Sequence, residues 1–572
     1  MSASALWFGP EQRPRFGWMH GPDHGRASAA VVLCPPLGLE EVCAHRTLRH
    51  LAERLAEAGL AVLRIDYDGT GNSAGGPGDP GRVEAWTESV RLAVDFVRQA
   101  GAGAVVVVGM RLGATVAAAA VAGRGVEGLV LWDPCASGRG YLREQQALGL
   151  FALGGERRDD GSVEVPGIVY EAETVAELGA LAVAGVEGSL AGRVLVLLRP
   201  DRATNKAMRE RLEEEAVEWG EATGQAELVD VEPFQVREPR AAAETVRRWV
   251  LELLRPGGAG AAGGVFAVPG GRTAVTLGGG AHGAVVERTV ALGPLGLFGI
   301  VCEPEVARAG APTVVLLNAG IIDHVGPSRL WVEFARRWAG GGARVVRFDL
   351  SGLGDSPARA GQREDEMYPP EAFDDLGEVV KAFAPEGGGE MILTGLCSGG
   401  YHSVEGGIAF GVGSVCLINP ILTARPSEIT SDEASRTPAI DARRRATTAR
   451  RRWVRALPAH ELLGSIVDRL PDVAWWAINK VAVASPPARI MERLVASGVD
   501  TYVVCGEKEA AVMRRGQAAA FRRLARTGRF HLEVMPGIDH ELFARASRDR
   551  VGPVVTERIL SSVSTAASTR PA

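Results

Sequence analysis

The sequence predicts an α/β fold that occurs twice in tandem. Apolar strand-like runs alternate with amphipathic helical stretches, a pattern typical of parallel sheets wound by right-handed crossovers. Two segments repeat one series of helix, glycine stop, strand and glycine-rich turn: 51–73, which ends in D-Y-D-G-T-G-N-S, and 334–356, which ends in D-L-S-G-L-G-D-S. Because 572 residues are too many for one ordinary core, we expect two large domains.

The domain boundary is predicted at a glycine-rich stretch. Residues 255–264 read R-P-G-G-A-G-A-A-G-G, which can bury too little apolar surface to become ordered. We therefore expect a first domain over 1–255, a flexible linker over 256–264 and a second domain over 265–572.

The composition argues against several classes of function. A hydrophobic content of 46% with a net charge of -6 is typical of a folded soluble protein and provides no electrostatic surface for nucleic acid. The N-terminus has no signal-peptide pattern, and no apolar run approaches the roughly 20 residues of a membrane helix, so we expect no membrane span and a cytoplasmic location. The seven cysteines lack zinc spacing, and the glycine-rich turns match no nucleotide motif. The sequence thus predicts neither a metal nor a cofactor.

The most informative motif is M-I-L-T-G-L-C-S-G-G at 391–400. Glycines at 395 and 399 flank Cys397, as in a nucleophile elbow, where a strained strand-to-helix turn requires small neighbours and exposes one reactive side chain. A packed core cysteine is the alternative reading, and Ser398 lies one residue away from the centre of the motif. In the first half, A-V-V-V-V-G-M-R-L-G-A places Arg111 at the same position, where a guanidinium cannot act as a nucleophile.

These motifs together resemble those of α/β-hydrolases. P-P-L-G-L-E-E at 35–41 and N-A-G-I-I-D-H-V-G-P-S-R-L at 318–330 are further similar to fused bacterial members associated with exosortase systems and to the serine-aminopeptidase-like group. The resemblance implies two tandem α/β-hydrolase domains, each a mostly parallel sheet flanked by helices, the second with a helical lid over about 422–490. The family's chain order of nucleophile, acid and histidine implies that Glu509 is the acid and His540 the base, with Glu507 as the rival acid.

The resemblance also implies the groups around the nucleophile. The backbone N–H of Ser398 is expected to stabilise the oxyanion, together with that of Ala319 or Gly320. Asp323 and His324 follow in the same loop and are candidate substrate contacts, with loop packing as the alternative.

The predicted lid contains D-A-R-R-R-A-T-T-A-R-R-R-W-V-R, in which two arginine triplets precede Trp453. A basic face with an aromatic underside would suit an acyl chain carried on coenzyme A or on the phosphopantetheine of an acyl carrier protein. A solvated helix face that balances local acidic residues is the alternative.

A thiol nucleophile favours acyl transfer over hydrolysis. Paired with a histidine, it acylates easily, and the thioester it forms is a better donor to amines and thiols than an oxygen ester is. We expect transfer through an acyl-cysteine from a thioester donor to an amine, alcohol or thiol. The alternatives are an ester or thioester hydrolase with water as acceptor, and an inactive ligand-binding or scaffolding protein.

The first half is predicted to be non-catalytic. Asp201 falls at the position of the acid, but no histidine follows it before the linker. Asp133, in W-D-P at 132–134, is expected at the carboxyl edge of the sheet near Arg111. The two side chains either fill a former active site as a structural plug, or Arg111 binds a carboxylate or phosphate of a ligand.

Overall fold

The computed structural model describes residues 2–153, 159–231, 233–255, 264–278, 283–306, 310–384, 389–422 and 486–568. Residues 256–263 of the predicted linker and 423–485 of the predicted lid, including Trp453, lie outside the described residues. Contacts divide the chain into two compact units, and Met1–Gly278 forms most of the first. The predicted domain limits stay predictions.

The first unit is built on an eight-stranded sheet with the order β1-β2-β5-β4-β6-β7-β10-β11. Strand β2 runs antiparallel to β1 and β5, whereas the pairs from β5 to β11 are parallel. The strands of this half are β1 Ser2–Phe8, β2 Arg15–Gly21, β3 Arg26–Ala27, β4 Ala30–Cys34, β5 Ala61–Ile65, β6 Val105–Met110, β7 Gly128–Trp132, β8 Val163–Val165, β9 Ile168–Tyr170, β10 Arg193–Leu198 and β11 Val217–Glu221.

Helices cover both faces of this sheet, which explains why β6 is a nearly unbroken run of buried valines. Short 3₁₀ turns lie at Val183–Gly185 and Pro233–Gln235. The helices are α1 Leu39–Glu57, α2 Arg82–Gln99, α3 Leu112–Val121, α4 Gly138–Ala152, α5 Ala172–Ala180, α6 Lys206–Leu212, α7 Ala226–Val229 and α8 Arg240–Leu253.

The second sheet has nine strands with the order β13-β14-β15-β17-β16-β18-β19-β20-β21. Strands β15 and β17 are antiparallel, and the pairs from β17 to β21 are parallel. The strands are β12 Phe266–Ala267, which pairs with β3, then β13 Ala274–Leu277, β14 Val285–Leu292, β15 Leu297–Pro304, β16 Thr313–Leu316, β17 Arg344–Phe348, β18 Met391–Leu396, β19 Ser414–Ile418, β20 Asp500–Gly506 and β21 Phe530–Met535.

The helices of the second half alternate with its strands as in the first. They are a 3₁₀ turn at Pro327–Arg329 and α9 Leu330–Gly340, α10 Ala372–Ala382, α11 Ser398–Phe410, α12 Pro487–Ala496, α13 Glu507–Arg514, α14 Ala518–Ala525 and α15 Arg545–Ser568. From β14 onward the strand order repeats that of the first sheet position by position. The predicted fold class, two mostly parallel sheets flanked by helices, is confirmed.

No helix among the described residues is both long enough and apolar enough to cross a bilayer. The cytoplasmic location stays a prediction.

Candidate active site

Cys397 occupies a strained turn between β18 and α11. Its backbone has φ 55° and ψ -116°, a conformation with positive φ that residues other than glycine rarely adopt. A Cβ atom on Gly395 would lie 2.1 Å from the carbonyl carbon of Gly399, and one on Gly399 would lie 2.6 Å from the carbonyl oxygen of Asn318. The turn therefore requires glycine at both positions, and it leaves Cys397 partly exposed at the carboxyl end of the parallel strands.

His540 and Glu509 meet although they come from different loops. The Nδ1 atom of His540, which follows β21, lies 3.3 Å from Oε1 of Glu509 in the first turn of α13. Burial has the largest single effect and would raise the pKa of Glu509. The hydrogen bond with His540, a backbone hydrogen bond and the charges of His540 and Lys508 together outweigh it, so the pKa is lowered. Glu507, the rival acid, is exposed. Of the two carboxylates, the one that contacts the imidazole is Glu509.

The other ring nitrogen of His540 is available for the nucleophile. The Nε2 atom is buried and makes no hydrogen bond of regular geometry in the described part of the chain, although the ring is close enough to Cys397 for the thiol to act on its pKa. Burial opposes protonation of this ring, yet the pKa of His540 is raised well above its usual value. The charge of Cys397, hydrogen bonding of the ring with Cys397 and Glu509, and the charge of Glu541 all favour the imidazolium. The ring is thus oriented by a carboxylate on one side and influenced by Cys397 on the other, as acyl transfer through a thiol requires.

Asn419 links the turns that carry the three groups. Its Nδ2 atom donates to the carbonyl oxygens of Asp539 at 3.1 Å and His540 at 2.8 Å, and its Oδ1 atom accepts from the N–H of Gly506, at the end of β20, at 2.9 Å. The preceding residue, Ile418, accepts a 3.1 Å hydrogen bond from the N–H of Cys397. Sequence reasoning missed Asn419, although its place in I-N-P corresponds to that of Asp133 in W-D-P.

Each half of the chain matches the model of a known family. A model of the serine aminopeptidase, S33, family matches residues 25–153, and a model of the alpha/beta hydrolase family matches residues 314–551. The chain contains two α/β-hydrolase domains. No curated protein sequence matches it. The resemblance to exosortase-associated proteins stays a prediction.

Solved structures match a little under half of the chain. Est1E from Butyrivibrio proteoclasticus has 14% identity and a TM-score of 0.34, over 44% of this chain and 99% of that protein. Proline iminopeptidase from Mycobacterium smegmatis has 17% identity and a TM-score of 0.30, over 48% of this chain and 98% of its own. An α/β serine hydrolase from Xanthomonas campestris has 17% identity and a TM-score of 0.27, over 49% of this chain and 93% of that protein.

The loop after β16 of the second α/β-hydrolase domain contains Ala319 and Gly320, two of the three predicted oxyanion donors. The N–H of Gly320 already donates to the Oγ atom of Ser398 at 2.8 Å, and Ala319 forms an isolated bridge with Ile322. Ser398 is the first residue of α11, where a helix leaves its N–H groups without an intrahelical acceptor. The roles of all three N–H groups in an oxyanion hole stay predictions.

The candidate substrate contacts in this loop have different surroundings. His324 is 1% exposed, and its Nδ1 atom lies 2.8 Å from Oδ2 of Asp349. The N–H of His324 donates to the other oxygen of that carboxylate, Oδ1. Asp323 is partly exposed and accepts a 3.0 Å hydrogen bond from the N–H of Val325. The contacts of His324 are those expected for loop packing, whereas Asp323 keeps part of its surface open to solvent.

In the first α/β-hydrolase domain, Arg111 has the backbone conformation of a nucleophile, with φ 55° and ψ -125°. Its side chain is 2% exposed and contacts three carboxylates. Nε and Nη2 donate to Glu40 at 3.2 and 3.1 Å, Nη1 donates to Asp133 at 3.3 Å, and Nη2 also donates to Glu144 at 3.1 Å. Sequence reasoning placed Asp133 beside Arg111 but missed Glu40 and Glu144.

This arrangement favours the structural plug over a ligand anchor. The guanidinium of Arg111 donates four hydrogen bonds to carboxylates of the same domain. Few of its N–H groups therefore remain for an anionic ligand. Asp201, at the position of the acid, is bound to Arg199, with Nη2 to Oδ2 at 2.7 Å. No described histidine faces Arg111 in the way that His540 faces Cys397 in the other domain.

Proposed function

We propose that the second domain transfers acyl groups through a covalent acyl-cysteine on Cys397. The observation that carries the proposal is the 3.3 Å contact between Glu509 and Nδ1 of His540, beside a positive-φ cysteine and with Nε2 unoccupied in the described residues. A fixed imidazole with one free nitrogen is what a thiol needs as general base.

The proposed reaction has two half-reactions. In the first, His540 takes the thiol proton, the sulfur of Cys397 attacks the carbonyl carbon of a thioester donor, and the donor thiol leaves with the proton. In the second, the acceptor gives its proton to His540 and attacks the acyl-cysteine, the carbon–sulfur bond breaks, and the thiol recovers the proton. Backbone N–H groups, including that of Ser398, would stabilise the oxyanion of each tetrahedral intermediate.

Transfer is the preferred outcome because the intermediate is a thioester, from which amines and thiols accept an acyl group readily. We propose a donor bound to coenzyme A or to an acyl carrier protein. Hydrolysis with water as acceptor uses the same residues, and comparing the products with and without added amine or alcohol separates the two reactions.

Intact-protein mass spectrometry tests the proposal directly. Wild type and Cys397→Ala are incubated with a panel of acyl thioesters, and Cys416→Ala, at a buried cysteine of β19, serves as the control. We expect an added acyl mass on wild type and Cys416→Ala only, with release of free donor thiol. If wild-type protein gained no acyl mass and released no free thiol from any donor, the proposed acyl transfer would be refuted.

Such a failure would leave the ligand-binding alternative. In that case Cys397 should react with iodoacetamide no faster than an unfolded thiol does, since nothing would activate it.

A further inference from the structure

The loop after β16 packs directly on the turn that carries the nucleophile. A Cβ atom on Gly399 would lie 2.6 Å from the carbonyl oxygen of Asn318 and 3.2 Å from that of Leu317, so no side chain separates the two segments. Residues 318–324 are called the oxyanion loop below, because they contain the predicted donors Ala319 and Gly320. This loop lies against the first turn of α11, which begins at the residue after Cys397.

One buried carboxylate holds both ends of the oxyanion loop. Oδ1 of Asp349 accepts from Nδ2 of Asn318 at 2.9 Å and from the N–H of His324 at 2.6 Å. Oδ2 of Asp349 lies 2.8 Å from Nδ1 of His324 and accepts from the N–H of Asp355 at 3.0 Å. Oδ1 of Asn318 accepts in turn from the N–H of Leu350 at 2.9 Å. The ends of the loop are therefore fixed to the turn that follows β17.

Between these ends the chain reverses at Gly320. The N–H of Ile322 donates to the carbonyl oxygen of Ala319 at 3.1 Å, and Gly320, the second residue of this turn, has φ 62°. The N–H of the second residue takes no part in the hydrogen bond that closes such a turn. It can therefore bond outside the loop, and it donates to Oγ of Ser398 at 2.8 Å.

The hydroxyl of Ser398 is a third anchor of the oxyanion loop. Ser398 is 1% exposed, and no other side chain in the described part of the chain forms a hydrogen bond with residues 319–321. In the first domain the residue after Arg111 is Leu112, which is buried and has no hydroxyl. The domain that lacks a nucleophile thus lacks this anchor as well.

We propose that Ser398 is a positioning residue for acyl transfer, whose hydroxyl holds the N–H of Gly320 and thereby fixes the oxyanion loop. The inference rests on the acyl transfer proposed above. An amide nitrogen has one proton to donate, and that of Gly320 is used by Ser398. The proposal therefore assigns Ala319, rather than Gly320, as the donor that this loop provides to the oxyanion.

Single-turnover acylation of Cys397 by a thioester tests the role of the hydroxyl in Ser398→Ala. We expect the rate at saturating donor to fall roughly ten- to a hundredfold, because a displaced donor stabilises the oxyanion less well. The donor concentration that gives half of the maximal rate should stay within about twofold of wild type, since the oxyanion forms only in the reaction and not on binding.

Ser403→Ala is the matched control. Ser403 is also buried in α11, and its hydroxyl donates to the carbonyl oxygen of Gly399 at 2.7 Å, within the same helix. The variant loses an equivalent hydrogen bond without a contact to the oxyanion loop, so acylation should continue at the wild-type rate. Equal losses in the two variants, or an unchanged rate in Ser398→Ala, would overturn the inference. A faster Ser398→Ala would also overturn it, because the hydroxyl would then compete with the oxyanion for the N–H of Gly320.

Hydrogen exchange separates failure of this inference from failure of the proposed function, because it requires no substrate. Mass spectrometry follows the exchange of peptides that cover residues 318–324 in wild type, Ser398→Ala and Ser403→Ala. We expect the amide of Gly320 to exchange about tenfold faster in Ser398→Ala and at the wild-type rate in Ser403→Ala. This result would support the anchor even if no thioester acylated the wild type. Unchanged exchange in Ser398→Ala would contradict the anchor, whatever the rate of acylation.

Discussion

At the scale of single residues, the two carboxylates that follow β20 test which acid acts together with His540 and Cys397. Glu509 contacts His540, whereas Glu507 is exposed two residues earlier in the same helical turn. We predict that Glu509→Gln lowers kcat for acyl transfer by roughly 10²–10⁴-fold, because the imidazole loses the charge that orients it and stabilises its protonated form. Single-turnover acylation of Cys397 is the measurement.

Glu507→Gln is the control for this prediction, since it makes the same chemical change in the same turn. It should retain nearly full activity. If the two variants lost activity equally, or if Glu507→Gln lost more, the assignment of the acid would have to move to Glu507.

Asn419 is predicted to position His540 without touching the reacting atoms. In Asn419→Asp, a carboxylate oxygen replaces the amide that donates to the carbonyls of Asp539 and His540, so two attractive contacts become repulsive. We expect kcat to fall roughly ten- to a hundredfold, with little change in donor KM, because a small displacement of the base is costly. The pKa of His540, followed by NMR titration, should shift in this variant.

Asn205→Asp is the matched substitution elsewhere in the chain. Asn205 caps α6 by accepting from the N–H of Met208 at 2.9 Å, which an aspartate does equally well. An Asn419→Asp enzyme with wild-type kcat and an unmoved His540 pKa would show that the hydrogen bonds of Asn419 do not position the base.

At the scale of elements, the connection from β18 to α11 depends on close backbone contact. We predict that Gly395→Ala destabilises the protein by at least about 2 kcal/mol and abolishes acylation, because the added methyl group would meet the Gly399 backbone at 2.1 Å. Denaturant unfolding and Cys397 acylation measure the two effects.

Gly179 in α5 provides the comparison, since a Cβ there meets nothing within 4 Å. Gly179→Ala should stabilise the helix by roughly 0.5–1 kcal/mol and leave acylation intact. Full stability and activity in Gly395→Ala would mean that the turn relaxes easily and is not under steric control.

The elements were predictable because their signals are local. The elbow, the glycine-rich turns and the strands are encoded in windows of ten to twenty residues, so the sequence indicated the fold and the positions of Cys397, Glu509 and His540. Asn419 lies 121 residues before the carbonyl it binds, and Glu40 lies 71 residues before Arg111. Such partners meet only through the tertiary fold, and no short motif marks them.

At the scale of the whole molecule, two copies of one topology differ at the positions that carry chemistry. The elbow holds Cys397 in one and Arg111 in the other, both with φ 55°. The residue that follows the next strand is Asn419 in one and Asp133 in the other, with φ 42° and 48°. The backbone geometry is thus the same at both turns, although a guanidinium cannot act as a nucleophile. This is expected if the first domain retains the shape of an active site and fills it with an internal ion cluster.

The cluster in the first domain predicts a dependence of stability on pH. Burial raises the pKa of Asp133 to about 6, although Arg111 acts to lower it. Because this pKa is higher in the folded state than in the unfolded state, the stability linked to Asp133 is fully present below about pH 4 and is lost as the pH rises through about 6. Asp133→Asn removes the titration and keeps an oxygen that can accept from Arg111. We therefore expect it to stabilise the first domain at pH 7.5, by roughly 2 kcal/mol, and to have little effect at pH 4.

The same variant tests whether the first domain takes part in the reaction at Cys397. If Arg111 and its carboxylates form a structural plug, Asp133→Asn changes the thermal unfolding of the first domain and leaves acylation of Cys397 at its wild-type rate. Glu144→Gln should have the opposite pH dependence. Arg111 and Arg202 lower the pKa of Glu144 to about 2, against the effect of burial. The stability that Glu144 contributes is therefore present above about pH 4.5 and is lost as the pH falls through about 2. Loss of Cys397 acylation in a fully folded Asp133→Asn protein would instead show that the first domain takes part in the reaction.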